Sequence, residues 1–189
     1  NWYVDNAATG ANNGTSWQNA WRSPANVVWG ASGVKAGDTL YISGGSTSKT
    51  YLADRNNFLN VGASGTAHSR ITIRVGQEVG HNGQVIFDAG GVYSGLIRVA
   101  DYVTVDGEVN GQRRLKLYNI NLSDNYGAMD VPSVDPIIRY VEIEKTNIGI
   151  GATHGSGGKF QYLYLHDIRG DAGIRLNARN GINPQYDQT

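Results

Sequence analysis

The 189-residue sequence predicts an all-β fold, a single-stranded right-handed parallel β-helix closed at its N-terminus by a short capping helix. Three observations lead there. The chain has 26 glycines and abundant Asn, Ser, Thr and Asp, while Leu, Lys and Glu, which favour helix, are scarce. Short β-branched runs with apolar–polar alternation recur between Gly, Asn and Asp turn signals. The alternation also keeps its phase: Val141–Glu144 is echoed by Leu163–His166 at an offset of 22 residues. A unit of that length cannot bury its own inward side chains and must stack on its neighbours. A leucine-rich horseshoe has a similar period, but its LxxLxLxxN consensus is absent from the sequence. A β-sandwich would need hairpin turns between the strands, and the same-phase recurrence fits parallel stacking better.

Residues 1–38 read as the cap. All four tryptophans, Trp2, Trp17, Trp21 and Trp29, lie there. Thr15 or Ser16 is predicted to cap a short helix with Trp17, Trp21 and Val28 on one face. Such a lid is needed because a solenoid end exposes a core cross-section and open strand edges. The same aromatic residues also read as a sugar-stacking platform.

Residues 39–189 read as the coils. Strands are predicted within Thr39–Gly45, Ile71–Val75, Val85–Gly90, Val103–Gly107, Leu115–Ile120, Val141–Ile148 and Leu163–Ile168. Second strands follow in "GLIRV", "GAMDV", "NIGIGA" and "AGIRLNA". The earlier spacings of 14 (Ile71 to Val85), 18 (to Val103), 12 (to Leu115) and 26 (to Val141) put some strands on different faces of one coil. The closing "NGINPQYDQT" is polar with nothing amphipathic after Arg179, so that end reads as open. The expectation is a protein that continues beyond Thr189, or a homo-oligomer joined through its C-terminal end.

Sixteen Lys and Arg balance sixteen Asp and Glu, which gives no general pull toward nucleic acid or an anionic membrane. No apolar run approaches the roughly 20 residues of a membrane span. The absence of cysteine excludes disulfides and thiolate chemistry. The start at Asn1, with no basic-then-apolar leader, is consistent with a processed secreted protein or a trimmed segment.

The opening "NWYVDNAATGANNGTSWQNAW", with "GVKAGDTLYISGG", "SRITIRVG" and "YVTVDG" after it, resembles the start of secreted bacterial right-handed β-helix proteins. That superfamily includes pectate- and alginate-lyase-like and polygalacturonase-like members. The resemblance implies a secreted or cell-surface protein acting on acidic polysaccharide; the alternative is a non-catalytic β-helix module that is adhesin-like, glycan-binding or purely structural. One scaffold hosts many activities, so the site has to decide.

In the calcium-dependent lyases a Glu-x-Glu pair holds the metal, with a lysine base beyond it and an arginine acid one coil later. Resemblance assigns Glu142 and Glu144 to Ca2+, Lys145 to the base, and Arg169 or Arg175 to the acid. Lys145 is adjacent to the pair, whereas the family places its lysine several residues downstream. Polygalacturonase-like enzymes require an Asp-Asp pair, and this chain has none. It offers only fragments of that pattern, such as "THGSGG" around His154, "DNYGAMD" from Asp124 and "GIRLN".

Stacking the alternating strands on one face gives two outward columns. One runs Thr72, Ile86, Thr104, Lys116, Glu142, Tyr164, and the other Arg74, Asp88, Asp106, Tyr118, Glu144, His166. Neighbouring strands lie about 4.8 Å apart, so consecutive members touch. Lys145, His166 and Arg175 then stand as catalytic candidates, and Tyr118, Tyr164 and Lys116 as substrate-binding ones. The competing reading is the solvated face of the scaffold, with cross-strand pairs that avoid like charges. His68 and His81 read as isolated, and Asp167 and Asp171 as turn formers.

Overall fold

The computed structural model describes residues 1–123, 126–153 and 155–177. The roles considered for Asp124 and His154, and the open end at 178–189, lie outside these residues. The chain is nearly all β, and its long-range strand pairs are parallel.

One sheet stacks Trp2–Val4, Thr39–Ile42, Ile71–Val75, Val103–Asp106, Ile137–Arg139 and Lys159–Gln161 in chain order. A second begins with Ser48–Leu52, Gln84–Asp88, Leu115–Tyr118 and the long strand Val141–Thr153. That long strand bends. Its first part pairs with Leu115–Tyr118, and its later part with Gly127–Asp130, which continues to Ile97–Arg98 and Leu59–Asn60. Tyr164–Asn177 runs beside it throughout, with a register shift between Thr146 and Ile148. The chain thus visits the three rows of strands in turn and returns to the first.

Register places aliphatic residues directly over one another. Leu40, Ile73, Val105 and Ile138 form one inward row. Tyr51, Phe87, Leu117 and Ile143 form a second, and Leu59, Ile97, Met129 and Ile150 a third. All twelve are buried and meet in one core. Along the first sheet the return takes 33 residues (Thr39 to Thr72), 32 (to Thr104), 33 (to Ile137) and then 22 (to Lys159). The 22-residue unit read from the sequence is therefore the last return only.

In the shortest returns the corners shrink to single residues with left-handed backbone. Asp135, Tyr140 and Lys145 have φ of 48°, 54° and 52°, and Gly157, Tyr162 and Asp167 repeat the set one layer on at 72°, 52° and 50°. Asp and Gly suit that region, whereas Tyr and Lys rarely adopt it, so the stacked layers hold them there. The Tyr140 and Tyr162 rings stack 4.6 Å apart along one such edge.

The predicted N-terminal helix does not form. Among the described residues the only helical pieces are the 3-10 turns Pro24–Asn26 and Gly30–Ser32. The reason is local. Asn13 accepts from the Thr15 N–H, Asn19 from Ala11 and Asn12 from Arg22. These side chains offer the backbone partners that compete with helix. Two of the tryptophans still pack on the core: Trp21 bridges to Val4, and its ring lies 5.3 Å from that of Trp2. Among the described residues, no helix is long and apolar enough to cross a membrane.

Leu117 is fully buried in the second inward row. Leu117→Ala is expected to lower unfolding free energy by about 3 kcal/mol, while Leu52→Ala, 67% exposed in the same sheet, is expected to change it by less than about 0.5 kcal/mol. Denaturant midpoints of the two variants check this.

Candidate functional site

Val141–Thr153 lies between Leu115–Tyr118 and Tyr164–Asn177, and this order assembles the charged group. Inward Val141 and Ile143 fix the alternation, which turns Glu142 and Glu144 outward. Register sets Lys116 and Tyr164 on either side of Glu142, and Tyr118 and His166 on either side of Glu144. Lys116 therefore reaches both carboxylates, at 3.0 Å from Glu142 Oε1 and in direct hydrogen bond with Glu144 Oε2. His166 Nε2 closes the group from the other side, 3.3 Å from Glu142 and 3.9 Å from Glu144.

The electrostatics follow from this geometry. Partial burial pushes the Lys116 ammonium down, but its hydrogen bonds to Glu144 and Glu142 outweigh that, and the net shift is upward. The same bond from Lys116 holds the Glu144 carboxyl below its ordinary range. Lys145 stands at the bend and donates to the Tyr118 hydroxyl at 3.0 Å, which raises its affinity for its proton. The ammonium that resemblance assigns as the base is thus engaged by the Tyr118 hydroxyl.

Tyr164 is 50% exposed. Its ring stacks on His166 at 4.5 Å, and the Arg113 guanidinium lies 5.4 Å from the ring centre. Tyr118 carries Lys116 and Lys145 at 5.4 and 5.0 Å from its own ring centre. The second sheet thus shows a half-exposed aromatic patch edged by cations beside a compact ion-paired cluster. Arg175 sits opposite Gly151, past the register shift, in another stretch of the strand. The two columns read from sequence each merge two sheets. Thr72, Thr104, Arg74 and Asp106 belong to the first sheet, and Lys116, Tyr118 and the residues around Glu142 to the second.

Glu142, Glu144 and His166 can bring one ligand atom each within 4.8 Å of one another. Calcium takes about six to eight oxygen ligands. Here the carboxylates already share the Lys116 ammonium, and the third donor is an imidazole nitrogen. This set suits an ion-paired cluster better than a calcium site.

His81 is not isolated. Its ring lies flat against Trp17 at 3.9 Å, and its Nδ1 is 2.9 Å from Ser43 Oγ and 3.5 Å from Asp5 Oδ2. The Ser–His–Asp composition invites comparison with a hydrolytic triad, but Ser43 and Asp5 both address the same ring nitrogen. In addition, Ser43 is fully buried. A triad needs the serine and the carboxylate on opposite nitrogens and the serine open to substrate, so this is a structural network. Lys49 joins it by pairing with Asp5.

No protein-family model, curated protein or solved structure matches this chain.

Two outcomes test the electrostatics. Lys116→Met is expected to return the Glu144 carboxyl toward its ordinary range in a carbon-detected NMR titration and to cost about 1 kcal/mol, less at high salt. Burial holds His81 below the ordinary histidine value of 6.5, against Asp5 and Glu78 and with Lys49. A histidine held neutral stabilises fully above 6.5, and its contribution is lost as pH falls through the lowered folded value. His81→Gln is expected to flatten that part of the stability–pH curve, read as melting temperature against pH.

Proposed function

We propose that the chain is a right-handed parallel β-helix of a secreted or cell-surface protein, and that its second sheet binds an acidic polysaccharide. The solenoid reading is supported by strands that return to three rows in turn. Crossovers between parallel strands are right-handed in nearly all proteins, which gives the hand. The observation that carries the binding reading is Tyr164, half exposed, stacked on His166 and flanked by Arg113. A flat aromatic face takes the apolar side of a sugar ring, and Arg113 and Lys145 supply positive charge for its acidic groups.

Recognition is favoured over β-elimination because Lys145 is engaged by the Tyr118 hydroxyl and Lys116 by two carboxylates. Calorimetry against alginate, pectate and glycosaminoglycans tests the reading. Binding to at least one acidic polymer is expected, with salt-dependent affinity and a loss of about five- to tenfold in Tyr164→Ala. Accumulation of an ultraviolet-absorbing unsaturated uronate would establish a lyase instead. Unchanged affinity in Tyr164→Ala would remove the aromatic face from the site.

A further inference from the structure

Three of the links from the first sheet to the second are longer loops, residues 43–47, 76–83 and 107–114. They stack at one corner around a pocket of about 420 Å³. Ser46 and Thr47 from the first link, Asn82 from the second, and Asn110 and Arg114 from the third line it, with no carboxylate among the lining residues.

Local sequence builds this corner. A Cβ on Gly44 would sit 1.9 Å from the Gly83 carbonyl oxygen, so two glycines let the first two links close on each other. In the third, Asn110 and Gly111, with φ of 51° and 75°, turn the hairpin Glu108–Val109/Gln112–Arg113. Asn-Gly is the preferred pair for such a turn. Arg114 follows directly and is pinned at both ends of its backbone, by Gly107 O at 2.8 Å and Val85 N at 2.7 Å.

The Arg114 side chain is unusual for its surroundings. Arg70, Arg74, Arg98 and Arg139 each meet a carboxylate. Arg114 has no side-chain hydrogen bond or ion pair among the described residues, and its Nε, like those of Arg74 and Arg139, is closed off from solvent without an acceptor. A guanidinium is planar and suited to two parallel bonds with a carboxylate. Apart from Gly83 and Val109, the residues lining the pocket with it carry hydroxyls and amides, the groups that bind sugar hydroxyls.

We propose that this corner pocket binds the carboxylate of a single uronate unit through Arg114, with Asn82, Asn110 and the Ser46–Thr47 hydroxyls holding its ring hydroxyls. The uronate identity rests on the acidic-polysaccharide reading, whereas the oxyanion site stands on the pocket itself. Its volume falls within the ordinary range of small-ligand sites.

Titration of the wild-type chain with glucuronate, glucose and acetate, followed by NMR, tests the proposal. Glucuronate is expected to shift the Arg114 Nε–H and the Asn82 and Asn110 amides, with glucose and acetate at least about tenfold weaker. Arg114→Gln is expected to lose the glucuronate response, and Arg114→Lys to recover part of it, in variants shown by melting to be folded. Equal affinity for glucose, equal affinity for acetate, or an unchanged response in Arg114→Gln would each overturn the assignment. Tyr164→Ala separates the two sites, because it is expected to weaken polymer binding and leave the monosaccharide response intact. Glucuronate shifts at Arg114 without polymer binding by the wild type would sustain the pocket and sink the reading of the second sheet.

Discussion

The inward side chains of successive strands have to lie directly over one another, and the rest of the molecule depends on that register. No single strand of four or five residues buries enough apolar surface to hold itself. Leu40 is sealed by Ile73, Ile73 by Val105 and Val105 by Ile138. Because side chains alternate, fixing the inward rows also fixes the outward ones. Lys116 can bridge Glu142 and Glu144 only because Leu115 and Leu117 lie over Val141 and Ile143. A slip of one residue would turn the cluster into the core. The charged site is thus a by-product of aliphatic packing one residue away.

At the N-terminal end the same core is closed without a helix. Lys49 takes an inward position level with Val85, and its ammonium reaches buried Asp5. Its aliphatic stem continues the row while its charge finds a partner. Tyr51 behaves alike: burial pushes its phenol far up, and its hydroxyl donates to Ser43 O. Polar ends on apolar stems finish the stack where Trp2 and Trp21 cover it.

The sequence showed the alternating strands well, because V-x-V and L-x-L runs bounded by Gly and Asn carry their own signal. Thr39–Ile42, Ile71–Val75, Val103–Asp106 and Leu115–Tyr118 lie where the alternation put them. Ser48–Leu52 and Lys159–Gln161 were not read as strands, since polar sequences such as "SKTYL" gain their pairing only from neighbouring layers. Every row carries the same alternation, so sequence alone merged two sheets into each outward column. The Glu142–Tyr164 and Glu144–His166 neighbours were legible because the 22-residue offset is regular there. The double role of Lys116 was not, since it depends on side-chain reach. Nor was the Arg114 corner, although the Asn110–Gly111 pair marks its hairpin plainly. The helix expected after Thr15 was lost to Asn and Ser side chains that bond to the backbone nearby.

The change from returns of 32 and 33 residues to one of 22 has a mechanical consequence. Where Asp135, Tyr140 and Lys145 each make a corner alone, little slack chain is left between rows, and an inserted residue there would have to displace a whole layer. Earlier layers carry their surplus in excursions such as Gly76–Gly83 and can absorb length changes outside the stack. The molecule therefore divides into a forgiving half, where new loops can be grafted, and a taut half, where whole 22-residue cassettes are the smallest unit that can be added or removed without breaking step.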